Sequence, residues 1–332
     1  MPIMTFASIT LPCYMALITS YLLHPLRVYP DRLVLGPSGS TASLAESIFD
    51  YRHIHGRTFQ NSKTTEYWGP NDERQNAGLD IAHHFLTMLI GDRLFSAPIT
   101  EPLHRVLDVG TGTGIWAIDM ADTYPTAQVI GTDISPIQPG WLPPNCSFQI
   151  DDAQLEWTFS PGTFDFVHIR ALYGSIDDWG KLYSQAFRAL RPGGWLEDLE
   201  FTITLHSDTP AVRDDPDHIF KRWASVFFEA TDRLGKTLRI GMDSRMRALM
   251  AQAGFVDVVE RQYQVPSGGW SSDARMKMIG RYNLAFLEES LEGFALFLLG
   301  EVMGWPYIEV QMFVMEMRAA VRNAKIRPYY LM

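Results

Sequence analysis

The stretch Val106-Leu107-Asp108-Val109-Gly110-Thr111-Gly112-Thr113-Gly114 constrains the fold more than any other in this chain. An apolar run enters three glycines at alternate positions, and a segment of helical spacing follows. Glycine carries no Cβ, so such a turn bends sharply and lets the backbone approach a ligand. Asp133 lies 23 residues past Gly110 (133 − 110), near the end of the next apolar run. A carboxylate there can accept two hydrogen bonds from a ribose diol. Strand, glycine turn, helix and second-strand acid together point to a nucleoside cofactor.

The surrounding text keeps the same rhythm. Residues 105–109, 128–134, 146–150 and 164–169 are β-type runs, and 116–124 has helical spacing. Residues 175–190 are amphipathic, with Trp179, Leu182, Tyr183, Phe187 and Leu190 on one face. Arg191-Pro192-Gly193-Gly194 stops that helix, and 195–205 resumes as a strand. Strands alternating with helices predict right-handed βαβ units and a parallel sheet. Upstream, Asn71 or Asp72 is placed to cap a helix running through Leu89. Downstream, 219–234, 243–252, 275–299 and 308–322 read as helices, and 255–263 as a further strand.

Charge chooses among nucleoside cofactors. A dinucleotide site reads G-x-G-x-x-G and seats a pyrophosphate at the helix N-terminus. Here the pattern is D-x-G-x-G-x-G, and Asp108 beside the turn would repel a pyrophosphate. S-adenosyl-L-methionine carries an ammonium, a sulfonium and a diol but no phosphate, so it is favoured over NAD. The plainer reading of Asp108 is that it ties down its own loop.

These segments resemble the class I S-adenosylmethionine-dependent methyltransferases, and the wider pattern resembles the LaeA-like fungal methyltransferases. The matching stretches are Tyr67-Trp68-Gly69-Pro70-Asn71-Asp72-Glu73, Leu79-Asp80-Ile81-Ala82-His83 and Asp151-Asp152-Ala153 with Trp157. Phe164-Asp165-Phe166-Val167-His168-Ile169-Arg170, Gly174-Ser175-Ile176-Asp177-Asp178-Trp179, Pro192-Gly193-Gly194-Trp195-Leu196-Glu197 and Ala253-Gly254-Phe255 complete them. The likeness spans roughly 51–330. The glycine motif is common to a very large superfamily, whereas the aromatic-acidic block at 67–73 and the 174–179 stretch are more specific. The implied fold is α/β: a Rossmann-like, mostly parallel, doubly wound sheet with N-terminal and C-terminal helical caps. The implied domains are an apolar extension and linker (1–45), a helical cap (46–100), and a methyltransferase domain (101–332) with helical lid insertions at 210–250 and 270–325.

The resemblance also implies roles. Gly110, Gly112 and Gly114 form the turn under the methionine moiety, and Asp108 orients its amino group directly or through water. Asp133 holds the ribose, and Asp152 with the Ala153 backbone faces the adenine. Arg170 closes the fourth sheet strand where substrate and cofactor meet. Arg57 and Tyr67 fold over the cofactor from the cap, or else pack an accessory helix layer. Methyl transfer is an in-line displacement for which the protein supplies positioning and a dry pocket. A neutral acceptor also needs a proton removed. His168, His206 and Glu197 are the candidates, with Glu200 beside them. A histidine in either position is more often a satisfied structural residue. The implied function is O- or N-methylation of a small-molecule acceptor in fungal secondary metabolism. The alternative is a regulatory methyltransferase acting through a protein target or complex. A cofactor-binding scaffold and an oxidoreductase are remoter readings.

Composition narrows the partners. The 332 residues are 46% hydrophobic and 20% charged, which excludes wholesale disorder. Net charge is −10 with no basic block, so no direct nucleic-acid ligand is expected. Cys13 and Cys146 supply neither a disulfide framework nor a cysteine zinc site, and a reducing compartment fits. His53/His55 and His83-His84 suggest no metal, because adjacent helical side chains diverge by about 100°. The location expected is cytoplasmic, or nuclear under the regulatory reading. Residues 3–23 carry no charge, and Arg27 and Arg32 follow them. That order lacks the basic start of a signal peptide. The run is close to the length of a membrane anchor. It is diluted by Thr5, Ser8, Thr10, Pro12, Thr19 and Ser20, so a packed helix or an idle extension stands beside the anchor reading. A second departure from the family is the C-terminus. Only 326–332 remain for the antiparallel strand that usually closes the sheet, so it is expected to be short or missing.

Overall fold

The structure is a computed structural model that describes residues 46–332 apart from Asp243. The uncharged run 3–23 and the linker 33–45 lie outside the described residues. Among the described residues, no helix is long and apolar enough to cross a membrane.

The chain enters through a hairpin, β1 (Arg52–Ile54) and β2 (Arg57–Phe59), paired antiparallel. Its two-residue turn is His55-Gly56, both at positive φ (47° and 81°), the geometry that matches strand twist. The cap is therefore not purely helical. Helix α1 (Glu73–Leu89) follows, and Asp72 is the residue that caps it, accepting from the Gln75 N–H at 3.0 Å.

The central sheet has five parallel strands: β3 (Arg105–Val109), β4 (Gln128–Asp133), β5 (Cys146–Ile150), β6 (Phe164–Arg170) and β7 (Leu190–Leu199). Their order is β5-β4-β3-β6-β7. Parallel neighbours need crossovers. Helix α2 (Ile115–Thr123) joins β3 to β4, and α3 (Trp179–Ala189) joins β6 to β7. The strand period of two sorts the side chains onto two cores. Val106, Val129 and Phe166 pack with Trp116 and Met120 of α2. Leu107, Val109, Val167 and Ile169 pack with Leu182 and Tyr183 of α3 and with Phe85 and Leu86 of α1. Apolar burial on both faces is what a doubly wound parallel sheet requires.

After β7 come β8 (Leu205–His206), α4 (Pro210–Arg213), α5 (Ile219–Arg233) and α6 (Arg245–Ala253). Next are β9 (Gln264–Pro266) and α7 (Ala274–Ala295), which runs on as a π-helical stretch, Leu296–Val302. Helix α8 (Tyr307–Arg322) and β10 (Tyr329–Leu331) end the chain. Helix α7 lies along α1, where Phe286 meets Phe85 and Glu289 and Glu292 hold Arg74.

Two local expectations need correction. Residues 255–263 form no strand: Val256 and Val259 are 82% and 74% exposed, and Asp257 has φ +54°. The apolar letters there have no sheet to face, and the strand lies just beyond, in β9. Phe187 does not share the buried face of α3; it is 44% exposed and meets Phe255 edge-on. The closing strand is short but present. β10 pairs antiparallel with β8 and β9 in a separate three-stranded sheet, and the Thr202 N–H donates to the Leu331 carbonyl.

Candidate functional site

A cleft opens at the carboxyl ends of β3, β4 and β6, where the strand order reverses, the usual ligand position in an open α/β sheet. Residues Thr65–Pro70 and α1 wall it from the N-terminal side.

The three glycines of the turn serve different ends. All have positive φ, between 58° and 81°. A Cβ on Gly110 would stand 2.4 Å from Leu172 Cδ2, and one on Gly114 2.3 Å from Phe148 Cζ. Those two glycines clear the protein's own packing. At Gly112 nothing lies nearer than Leu79 Cδ1 at 3.8 Å, so its bare backbone faces the cleft. Gly114 does not line the cleft; Gly110 and Gly112 do.

Asp133 ends β4 and turns back on this loop. Its carboxylate accepts from Gly112 N–H at 2.8 Å and from Ser135 N–H at 2.9 Å. Burial pushes its pKa up to about 6, the nearby charge of Asp108 adds to that, and the backbone N–H groups oppose it. Tyr67 lines the same cleft, and burial, then the charge of Asp133, hold its phenol above the usual range. Asp108 is buried and committed. It accepts from Thr111 Oγ1 at 2.5 Å and lies 2.7 Å from His168 Nδ1. The His168 ring stacks flat on Trp116 at 3.8 Å. Asp152 follows β5, accepting from Thr64 Oγ1 at 2.7 Å and Gln154 N–H at 3.0 Å. The neighbouring Ala153 carbonyl receives Trp157 Nε1.

Three of the remaining expected residues are not brought to the cleft. Arg57 is buried in a bidentate pair with Asp72, at 2.5 and 2.9 Å. The carboxylate that caps α1 attracts the guanidinium more strongly than an open cleft could. Glu197 accepts from the N–H groups of Ser96 and Ala97 at 2.7 and 2.6 Å, so its charge is spent holding the approach to β3. His206 sits on β8 stacked against Tyr329, in the small second sheet.

A family described as a methyltransferase domain matches residues 81–260. The chain is 36% identical over 286 residues to "Methyltransferase pytC" of Aspergillus terreus, covering 86% of this chain and 87% of that protein. It is 36% identical over 282 residues to "Secondary metabolism regulator LAE1" of Cochliobolus heterostrophus, covering 83% and 90%. This chain belongs to the LaeA-like class I methyltransferases. Its activity is S-adenosylmethionine-dependent methyl transfer. A third relative, "Protein-methionine methyltransferase laeA" of Emericella nidulans, is 31% identical over 286 residues, covering 85% and 75%.

The chemistry of this methyltransferase cleft fits that cofactor. Asp108, Asp133, Asp151 and Asp152 line it, against one guanidinium, Arg170. Such a wall suits a cationic ligand and repels phosphate. The bare Gly112 leaves room for close approach.

Reading the sequence missed how α1 serves this site. Asp80 accepts from Thr113 Oγ1 at 2.7 Å, tying α1 to the glycine turn. His83 is buried and lies 2.9 Å from Asp119 of α2 through Nε2, while its Nδ1 faces Arg170 at 3.3 Å. The available signal was that Asp80 and His83 are three apart, hence on one helical face. His84 departs to stack edge-on with Tyr282. Beyond the acidic end the cleft turns apolar, walled by Leu86 and the aromatic side chains of Trp68, Tyr173, Phe201, Phe286 and Phe294. Trp68 meets Phe294 at 5.3 Å and Tyr173 at 6.0 Å, and Phe286 meets Phe294 at 6.0 Å.

Proposed function

We propose that this methyltransferase modifies an apolar, ring-bearing small molecule on oxygen or nitrogen. The aromatic wall at one end of the cleft carries this reading: it is continuous with the acidic end, and its ring faces offer stacking surface with few competing charges. In this reading the acidic end takes the cofactor. Asp133 accepts from the ribose diol, and the turn at Gly110 and Gly112 underlies the methionine moiety. Asp108 stands behind that turn, Asp152 and Ala153 face the adenine, and Tyr67 covers the ribose from the cap. Bound there, S-adenosylmethionine supplies an electrophilic methyl group.

The chain's own part is to orient and to exclude water. Trp68, Phe286 and Phe294 shield the acceptor side. His168 alone among the base candidates borders the cleft. Because Asp108 holds its Nδ1, any proton it takes from an acceptor goes to Nε2.

A regulatory role on a protein target is the second reading, favoured by the likeness to the LAE1 and laeA regulators. Methyl-tritiated S-adenosylmethionine, added to purified chain with a metabolite extract or with a protein fraction from a strain lacking the gene, separates the two. Label in the small-molecule fraction supports the main reading. Label confined to protein overturns it in favour of the second.

A further inference from the structure

Arg170 is held in an unusual way for a half-buried cation. It ends β6 after six buried residues, and it lines the cleft. Among the described residues it is the cleft's one lysine or arginine side chain. Its hydrogen-bond partner is an imidazole, His83 Nδ1, reached by both terminal nitrogens at 3.3 Å. An arginine has donors only, so Nδ1 must accept and the ring proton sits on Nε2. That N–H then donates to Asp119 Oδ2 at 2.9 Å. Burial lowers the His83 pKa against the raising effect of its hydrogen bond to Asp119, and Arg170's charge adds to the lowering, in keeping with a neutral ring.

The consequence is electrostatic. Asp119 would neutralise Arg170 if it touched it, but the neutral imidazole stands between them. The ring fixes the guanidinium's direction and leaves its charge uncompensated by any direct carboxylate contact. Asp108 and Asp119 act on this half-buried guanidinium only from a distance, so an anion in direct contact stabilises it further. The planar fork of donors suits a carboxylate, with which it forms two parallel hydrogen bonds. The aspartates around it disfavour a more highly charged phosphate.

We propose that Arg170 binds a ligand carboxylate in the cleft, and that His83, anchored by Asp119, is its positioning residue. This rests on reading the cleft as the cofactor and acceptor site. The carboxylate has two sources, the amino-acid end of the cofactor or an acidic acceptor.

Calorimetry on the full chain separates them. S-adenosylhomocysteine has the carboxylate; methylthioadenosine has the same nucleoside without it. If the cofactor supplies the carboxylate, Arg170→Gln weakens S-adenosylhomocysteine by about tenfold or more and methylthioadenosine by less than about twofold. If the acceptor supplies it, both nucleosides keep their affinity in Arg170→Gln. Protein saturated with S-adenosylhomocysteine then loses benzoate binding but not benzamide binding. Equal behaviour of wild type and variant toward all four ligands overturns the proposal. His83→Leu should copy the selective loss, and His83→Asn, whose amide oxygen replaces Nδ1 as acceptor, should restore it. A merely structural His83 would instead weaken carboxylate-bearing and carboxylate-free ligands alike, which overturns its assigned role. Failure of wild type to bind either nucleoside would instead remove the cofactor reading beneath the proposal.

Discussion

The carboxylate of Asp133 accepts the backbone N–H of Gly112 at 2.8 Å, joining the end of β4 to the one glycine whose Cα faces the cleft unobstructed. The acid is thus held by the same loop that lines the cleft.

Its pH dependence has a definite sign. Burial raises Asp133 from 3.8 to about 6. A raised folded-state pKa means that the folded protein holds this proton more tightly than the unfolded chain. The stability it contributes is full below 3.8 and is lost as pH rises through about 6. On the proposed reading that Asp133 takes the ribose diol, which prefers the ionised carboxylate, cofactor binding runs the opposite way. S-adenosylhomocysteine should bind about tenfold more weakly at pH 5 than at pH 7.5, as calorimetry across that range will read. Asp133→Asn should flatten the profile between those values.

Alanine at the glycine turn should separate folding from binding. Gly114→Ala drives a methyl group into the Phe148 ring, adding a clash to the left-handed backbone. Thermal melting should show a loss of about 2–4 kcal/mol. Gly112→Ala meets no such clash and should lose about 1–2 kcal/mol. Its cofactor affinity should nevertheless fall further than that of the folded Gly114→Ala protein.

The pair Arg57–Asp72 should behave as structure and not as cofactor machinery. Asp72→Ala removes the α1 cap and strands a buried guanidinium, costing about 3–5 kcal/mol in denaturant unfolding. Arg57→Met leaves the cap in place and should cost less. Neither change should move the affinity of folded protein for S-adenosylhomocysteine by more than about twofold, because neither side chain borders the cleft.

Glu197 and His206 make a similar test. Glu197→Gln keeps one oxygen for the N–H groups of Ser96 and Ala97, which share a single carboxylate oxygen, but loses the charge that strengthens both bonds, and should destabilise by about 1–2 kcal/mol. His206→Ala trims a half-buried ring stacked on Tyr329. Both variants should retain the wild-type pH profile of methyl transfer. A changed profile in either would return that residue to the reaction.

Much of the fold was legible because its determinants are local. The β3 run, the glycine turn and α2 follow each other directly, and strands alternating with helices implied a parallel sheet. Asp72 announced its helix because capping depends on a side chain and the N–H three residues on. The strand expected over 255–263 failed because apolar letters do not reveal whether a sheet edge is near. Phe187 failed for a related reason: helical spacing marks a face, but only packing decides how far burial extends around it.

The site divides along the same line. By itself the sequence determined that a glycine turn and an acid at the next strand end would meet. Parallel neighbours β3 and β4 must bring their carboxyl ends together, and charge beside the turn selects a cation over a phosphate. Only the tertiary structure decided which glycine faces the cleft, since Leu172 comes from the loop after β6 and Phe148 from β5. It also sent Arg57 to Asp72 and set His83 between Asp119 and Arg170. These outcomes follow from competition among partners far apart in the chain. A buried charge takes the best-placed counter-charge or acceptor in three dimensions, and no local pattern encodes which one that is.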